Sequence, residues 1–376
     1  MTGFRAKVQH EEAVDTFCSF MTASTTVPNK VPEVGIMKTL WTRDQNDNWA
    51  ICGLKGITLR PKPGYDADYF QFESQIELLT DRPLLSNRFG WMTTFGPTDF
   101  LLKQSVLPVV VWVEGEPFIR CIGTAFVISC TGYLITACHV LLDPYEEKYA
   151  GKAARTENSI TFPVGMRFGV LVPINPASGS NGSLFFPFLD CRYWGRWRES
   201  PFPFEELPFD MFTDVAICKI ALLPDGAAHQ PLTISPNLFV RGERAIALGY
   251  AEMDDIPVER RNGAIVVPEF QRDLYVSVGL VQDIFPDNHN KREVMAPGPC
   301  FAFLAKVPGQ MSGGPILGAD GIVVRGVVSR SFSGSKHAYG AMIAAALDLP
   351  LEENKTLRAL RESGNEGIPK ALGRGL

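Results

Sequence analysis

Residues 123–141 read GTAFVISCTGYLITACHVL. Together with the residues just before them they form two strand-like runs, FIRCIGTAFVIS (118–129) and YLITACHVL (133–141), which meet at Cys130-Thr131-Gly132. β-branched and aromatic residues on both sides of a Thr-Gly turn predict a strand hairpin. That hairpin runs into Thr136-Ala137-Cys138-His139-Val140, and of the five histidines in the chain His139 alone terminates such an apolar strand. A histidine there is either a structural, hydrogen-bonded residue or a base for chemistry, and the rest of the chain has to decide between them.

Outward from the hairpin the same texture continues. PVVVWVEG (108–115), DVAICKIALL (214–223), AIALGYA (245–251), LYVSVGLVQDIF (274–285) and IVVRGVVSRS (322–331) are short apolar runs at strand length. The 34 glycines and 28 prolines punctuate them at short intervals. Many short strands with close turns predict an all-β, barrel-type unit over residues 104–350. LEENKTLRALRES (351–363) puts Leu351, Leu357 and Leu360 on a helical period before Gly364, so residues 351–376 read as a short helix and a glycine-rich tail. Residues 1–103 are mixed, with a helical start near HEEAVDTFCSFM and alternating runs such as WAICGLKGITLRP. They form an N-terminal extension or accessory region to which no motif gives a role.

At 376 residues the chain has length for two or three compact units. A net charge of −5 gives no global positive field, so neither nucleic acid nor an anionic membrane is expected as a partner of the whole molecule. No apolar run approaches membrane-spanning length, and MTGFRAKVQHEEAVD lacks a secretory core, which predicts a cytoplasmic protein. The eight cysteines include no CxxC pair and no zinc spacing, so they read as reduced core thiols, and no metal or cofactor is expected. Between Leu184 and Phe212 lies an insertion with seven Phe, two Trp and one Tyr. Three readings stay open for it: a long loop packing its rings on the body of the protein, an exposed patch for a protein partner, or a stacking surface. The last would use Arg192, Arg196 and Arg198 interleaved with Tyr193, Trp194 and Trp197, against which Glu199, Glu205 and Glu206 count.

Nucleophilic hydrolysis needs a hydroxyl, a base in reach of it, a carboxylate to fix the base's tautomer, and donors for the oxyanion. Three segments supply such parts: TACHV around His139; Thr213-Asp214-Val215-Ala216, an Asp just before an alternating buried strand; and PGQMSGGP (308–315), a tight turn presenting Ser312 between two strands. Singly, a strand-end His, a capping Asp and a Ser-Gly-Gly hairpin turn are ordinary structural features. In the order His, Asp, Ser, the combination resembles the chymotrypsin/trypsin-like serine peptidase superfamily, particularly its intracellular and bacterial HtrA-like members. An α/β-hydrolase is excluded, because it carries GxSxG with the order Ser, acid, His, whereas position 310 here is Gln and the order is reversed.

The resemblance covers residues 104–350. It implies two perpendicular six-stranded β-barrels with the active site between them, His139 and Asp214 from the first and Ser312 from the second. It assigns Ser312 as nucleophile, His139 as general base and acid, Asp214 as the imidazole's orienting partner, and the backbone N–H groups of Gln310 and Ser312 as the oxyanion hole. Gln310 stands where most relatives have glycine. Either it holds the turn inactive until substrate or a partner reorganises it, or Gly309 takes part in a shifted turn. Met311 replaces the aspartate that pairs with a newly cut N-terminus in secreted zymogens, and Val140 replaces the cysteine that would bridge to Cys121.

By the same resemblance Lys306 lies at the base of the primary pocket and Val328, Ser329, Arg330 and Ser331 form its edge strand, with Gly326 and Gly340 easing close approach at the walls. Lys306 then either selects an acidic side chain or points to solvent and leaves a small apolar pocket. The expected function is an intracellular, regulated serine endopeptidase acting on protein or peptide substrates, with the extra segments available to a regulatory protein partner. The alternative is a protease-like scaffold with an unformed oxyanion hole that binds a partner through the aromatic insertion.

Overall fold

The computed structural model describes residues 34–43, 49–61, 70–78, 102, 104–142, 152–156, 158–173, 182–197, 209–222, 230–269, 274–286, 294, 296–319, 321, 323–331, 337–352 and 355–369. In the N-terminal extension, β1 (Val34–Arg43), β2 (Trp49–Pro61) and β3 (Phe70–Leu78) make a three-stranded antiparallel sheet. The helical start expected near residue 12 and the tail after residue 369 lie outside the described residues.

The hairpin of residues 118–137 forms as expected. β4 (Val106–Val113), β5 (Phe118–Val127) and β6 (Tyr133–Ala137) are antiparallel neighbours, and β6 runs directly into a short helix, α1 (Cys138–Leu142). β7 (Met166–Pro173), β8 (Ser183–Pro187), β9 (Asp190–Arg192) and β10 (Val215–Lys219) extend the sheet in the order β9-β10-β6-β5-β4-β7-β8, and a hairpin of residues 259–267 adds to β8. The second sheet contains β11 (Arg244–Gly249), β12 (Tyr275–Phe285), β13 (Cys300–Leu304), β14 (Pro315–Leu317), β15 (Val323–Ser331) and β16 (His337–Met342). Its order, β15-β14-β11-β12-β13-β16, closes on itself because β16 pairs back with β15, giving a six-stranded barrel. The expected all-β class with a short C-terminal helix is observed, and of the two six-stranded barrels expected this is the one that the strand pairing closes.

Strand alternation assigns residues to two cores. Along β11, Ala245 and Ala247 enter a cluster inside the barrel with Phe301, Phe303 and Met311, while Ile246 and Leu248 join the larger cluster shared with the first sheet. Small residues on β11 leave room for the phenylalanines of β13, as the taper of a small barrel requires. The helix α2 (Leu357–Ser363) is capped by Thr356, whose hydroxyl accepts from the Ala359 N–H at 3.1 Å, and ends at Gly364 in the left-handed region. Leu351 precedes the helix rather than sharing its face, yet Leu351, Leu357, Leu360 and Ile368 all bury in the first sheet's cluster.

The aromatic insertion differs from a long loop. Ser183–Pro187 and Asp190–Arg192 are strands of the first sheet, and Gly195–Trp197 pairs with Phe209–Met211. Tyr193 is fully buried with its hydroxyl bonded to the Thr156 carbonyl, and Arg192 is paired with Asp190, so neither is available to stack or neutralise a nucleic acid. Residues 198–208 lie outside the described residues. Cys121, Cys130, Cys138, Cys191, Cys218 and Cys300 are buried free thiols, and among the described residues no helix is long and apolar enough to cross a membrane.

Gly326 and Gly340 also differ from expectation, for what approaches them is the ring of Phe301 in the barrel core. A Cβ on Gly340 would stand 2.4 Å from Phe301 Cζ, and one on Gly326 2.8 Å from Cε1. Gly340→Ala is therefore expected to destabilise the protein by about 1–3 kcal/mol through overpacking. Adding Phe301→Leu should recover part of that loss, read as a non-additive shift in urea midpoint in a double-mutant cycle.

Candidate active site

The ladder between β6 and β10 pairs Ala137 with Val215. The residues just beyond that rung, Cys138-His139 at the start of α1 and Asp214 just before β10, are thus set side by side, and the Cys138 N–H donates to the Asp214 carbonyl at 3.2 Å. The Asp214 side chain is completely buried and accepts three hydrogen bonds. His139 Nδ1 lies 2.7 Å from Oδ2, the His139 backbone N–H donates to Oδ1 at 2.9 Å, and the Ser329 hydroxyl donates to Oδ2 at 2.5 Å. Burial pushes the Asp214 carboxyl upward, but the adjacent His139 charge and these hydrogen bonds outweigh it and hold the group below the usual carboxylate range. An ionised Asp214 on Nδ1 fixes that nitrogen as the protonated one and leaves Nε2 as the acceptor. The neighbouring thiol of Cys138 is kept well above its ordinary range, first by burial and then by the Asp214 charge, so no thiolate competes as nucleophile there.

Ser312 comes from the barrel, in the turn leading into β14. Four backbone bonds hold that turn: Gly314 N–H to Met311 O at 2.9 Å within it, Gly313 N–H to Val328 O at 2.7 Å, Val328 N–H to Gly314 O at 2.8 Å, and, across to the first sheet, Thr124 N–H to Ser312 O at 2.8 Å. Gly313 has φ of +87°, and a Cβ on it would stand 2.1 Å from the Thr124 carbonyl, so only glycine fits. Thr124 Oγ1 donates to the Gln310 carbonyl at 3.0 Å and accepts from the Tyr250 N–H at 3.0 Å, while its own carbonyl accepts from Thr136 Oγ1 at 2.7 Å. The structure thus ties the Ser312 turn to the hairpin that carries His139. Ser312 Oγ donates to the Ser329 carbonyl at 3.0 Å. Among the described residues no protein acceptor takes the N–H of Gln310 or of Ser312. Met311, between them, is fully buried in the barrel cluster and anchors the turn by packing.

The trypsin-like peptidase domain family matches residues 123–324, more than half of the chain and all three segments. The chain belongs to this family. Among solved structures, this trypsin-like serine peptidase is similar to the Rv3671c protease of M. tuberculosis. It shares 15% identity with the inactive form over 69% of this chain and 93% of that one, with a TM-score of 0.34. For the active form the values are 15%, 78%, 95% and 0.35. No curated protein matches the chain.

On β15, Val328 is buried and its backbone holds the Ser312 turn, while Ser331 Oγ donates to the Val307 carbonyl at 2.8 Å. Arg330 is half-buried, and its Nε has no acceptor among the described residues. Lys306 is exposed, its carbonyl bonded by the Ser277 hydroxyl. Among the described residues no group of three or more His, Cys, Asp or Glu side chains is placed to hold a metal. Sequence reasoning placed Ser329 on the pocket edge and missed its bond to Asp214, a partner 115 residues away that no local pattern signals.

A carboxylate whose folded pKa is depressed stabilises the fold above its unfolded pKa, and this contribution is lost as pH falls through the folded value. Ser329→Ala removes one of the bonds that depress it. The expected outcome is a variant less stable at neutral pH by about 1.5–3 kcal/mol, in line with a charge-assisted bond. Its further acid loss should be smaller and level off at a higher pH than in wild type, measured as urea midpoint against pH.

Proposed function

We propose that this serine peptidase is an endopeptidase working through His139, Asp214 and Ser312. The reading is carried by one observation: a buried carboxylate bonded to Nδ1 of a strand-end histidine, on the hairpin whose Thr124 also holds the serine turn. In the resting geometry the Ser312 hydroxyl rests on the Ser329 carbonyl. As substrate enters, the hydroxyl turns to His139 Nε2, which takes its proton while Oγ attacks the peptide carbonyl. His139 then hands that proton to the leaving amine, and water attacks the acyl-enzyme by the same route in reverse. Asp214 stays ionised throughout and stabilises the imidazolium. The N–H groups of Gln310 and Ser312, which no protein acceptor takes among the described residues, stabilise the oxyanion, a contribution of about 10²–10³ in rate per donor.

The exposure of Lys306 favours a small apolar primary pocket over one floored by a buried cation. Residues 104–350 are the catalytic unit in this reading, and 1–103 and 351–376 are its additions. The thiol pattern and the extra segments support an intracellular, regulated enzyme.

A fluorophosphonate probe is expected to label Ser312, and Ser312→Ala to abolish both labelling and peptide cleavage, by roughly 10⁶ if the three residues act as a unit. Labelling mapped to another residue by mass spectrometry would sink the assignment, and a probe-negative folded protein would favour the scaffold reading. Asp214→Asn is expected to lower kcat by about 10⁴ through the wrong histidine tautomer while leaving the circular dichroism spectrum unchanged.

A further inference from the structure

We infer that the Gln310 side chain is a positioning residue that holds the oxyanion turn ready before substrate arrives, taking the place of the glycine that relatives use. The inference rests on Ser312 being the nucleophile. Gln310 has φ of +70°, in the left-handed region that a side chain disfavours, so the surroundings must hold it there. The carboxamide does so at both ends. Its Oε1 accepts from the Met253 N–H at 2.7 Å, and its Nε2 donates to the Met253 carbonyl at 3.2 Å and the Cys121 carbonyl at 3.3 Å. One amide is thus matched by the donor and acceptor of a single backbone residue, with a further acceptor from β5. The main-chain carbonyl of Gln310 is held separately by Thr124 Oγ1.

The loop that receives the carboxamide is itself fixed. Glu252 has φ of +53°, Met253 is buried, and Asp255 takes a two-point ion pair from Arg120 of β5 at 2.8 and 3.2 Å. Ile256 then pairs with Ile119 on the same strand. Gln310 is therefore gripped by groups belonging to the first sheet and to a loop stapled to it, while Met311 is buried in the barrel core. A side chain clamped on a collapsed turn would leave an N–H spent on a neighbouring carbonyl, since backbone donors rarely stay unpaired. Here neither the Gln310 nor the Ser312 N–H is spent on a protein acceptor among the described residues. The clamp accordingly favours the open, donor-presenting turn, and removing it lowers the fraction of molecules in that state, which scales the acylation rate directly.

Burst kinetics of the full chain with p-nitrophenyl acetate test this. Gln310→Gly removes both the carboxamide and the backbone restriction; Gln310→Met keeps the length and removes every hydrogen bond. Both are expected to lower the acylation rate constant about tenfold to a hundredfold, while the binding constant for the ester stays within twofold of wild type. Acylation within twofold of wild type in either variant, or a loss carried by ester binding instead, overturns the inference. In wild type the Gln310 carboxamide protons are expected to exchange with solvent more slowly than those of other glutamines in ¹⁵N spectra, and exchange at the ordinary rate overturns it without recourse to a variant. A wild-type burst that Ser312→Ala fails to remove overturns the nucleophile assignment, and the clamp with it.

Discussion

Thr124 lies on a strand of the first sheet, yet three of its four hydrogen bonds reach residues beyond that sheet: the carbonyls of Ser312 and Gln310 and the N–H of Tyr250. The fourth comes from Thr136, three residues before His139. Thr124 thereby links the turn that carries Ser312 to the hairpin that leads to His139, and the Ser329–Asp214 bond makes a second link between the same two halves. The Thr124 link runs through backbone and one short β-branched side chain, which has few rotamers to lose. Preorganisation of this kind matters because a misplacement of about 1 Å can cost about 10² in rate.

The two halves of the site are built on different physics. On the first sheet, a charge is buried and then compensated: Asp214 has no solvent contact, and three donors converge on it. Removing a donor exposes the full cost of an under-bonded buried ion. On the barrel side the serine turn is seated by packing, with Met311 buried among Phe301, Phe303 and Val328. Where a charged residue would tie the turn to a separate ionic partner, an apolar one seats it as soon as the barrel is packed.

The segments that hold His139, Asp214 and Ser312 stand out in the sequence because the pattern of each is local: a hairpin end, a residue before an alternating strand, a glycine-rich turn. The strand-rich class and the closing helix were readable for the same reason. What stayed hidden depends on partners far along the chain. The Ser329 hydroxyl finds Asp214, and the Gln310 carboxamide finds Cys121 and Met253, 189 and 57 residues away. From sequence, Gln310 reads as a departure that disturbs the turn, because its compensating bonds leave no trace nearby. The aromatic insertion leaves several readings open because its proline and ring content masks short strands that acquire definition only by pairing with β7 and β10.

Burial of Leu357, Leu360 and Ile368 against the first sheet has a bearing on how the molecule is made. The cluster that seats β4 to β6, which appear early in the chain, includes side chains translated more than 200 residues later. Contacts of such long sequence separation close late and slowly. On a ribosome adding residues one by one, the half bearing His139 and Asp214 stays under-packed until the segment around Ile368 has emerged. The half of the fold that carries His139 and Asp214 is therefore fully packed only after the segment that carries Ser312 has been made.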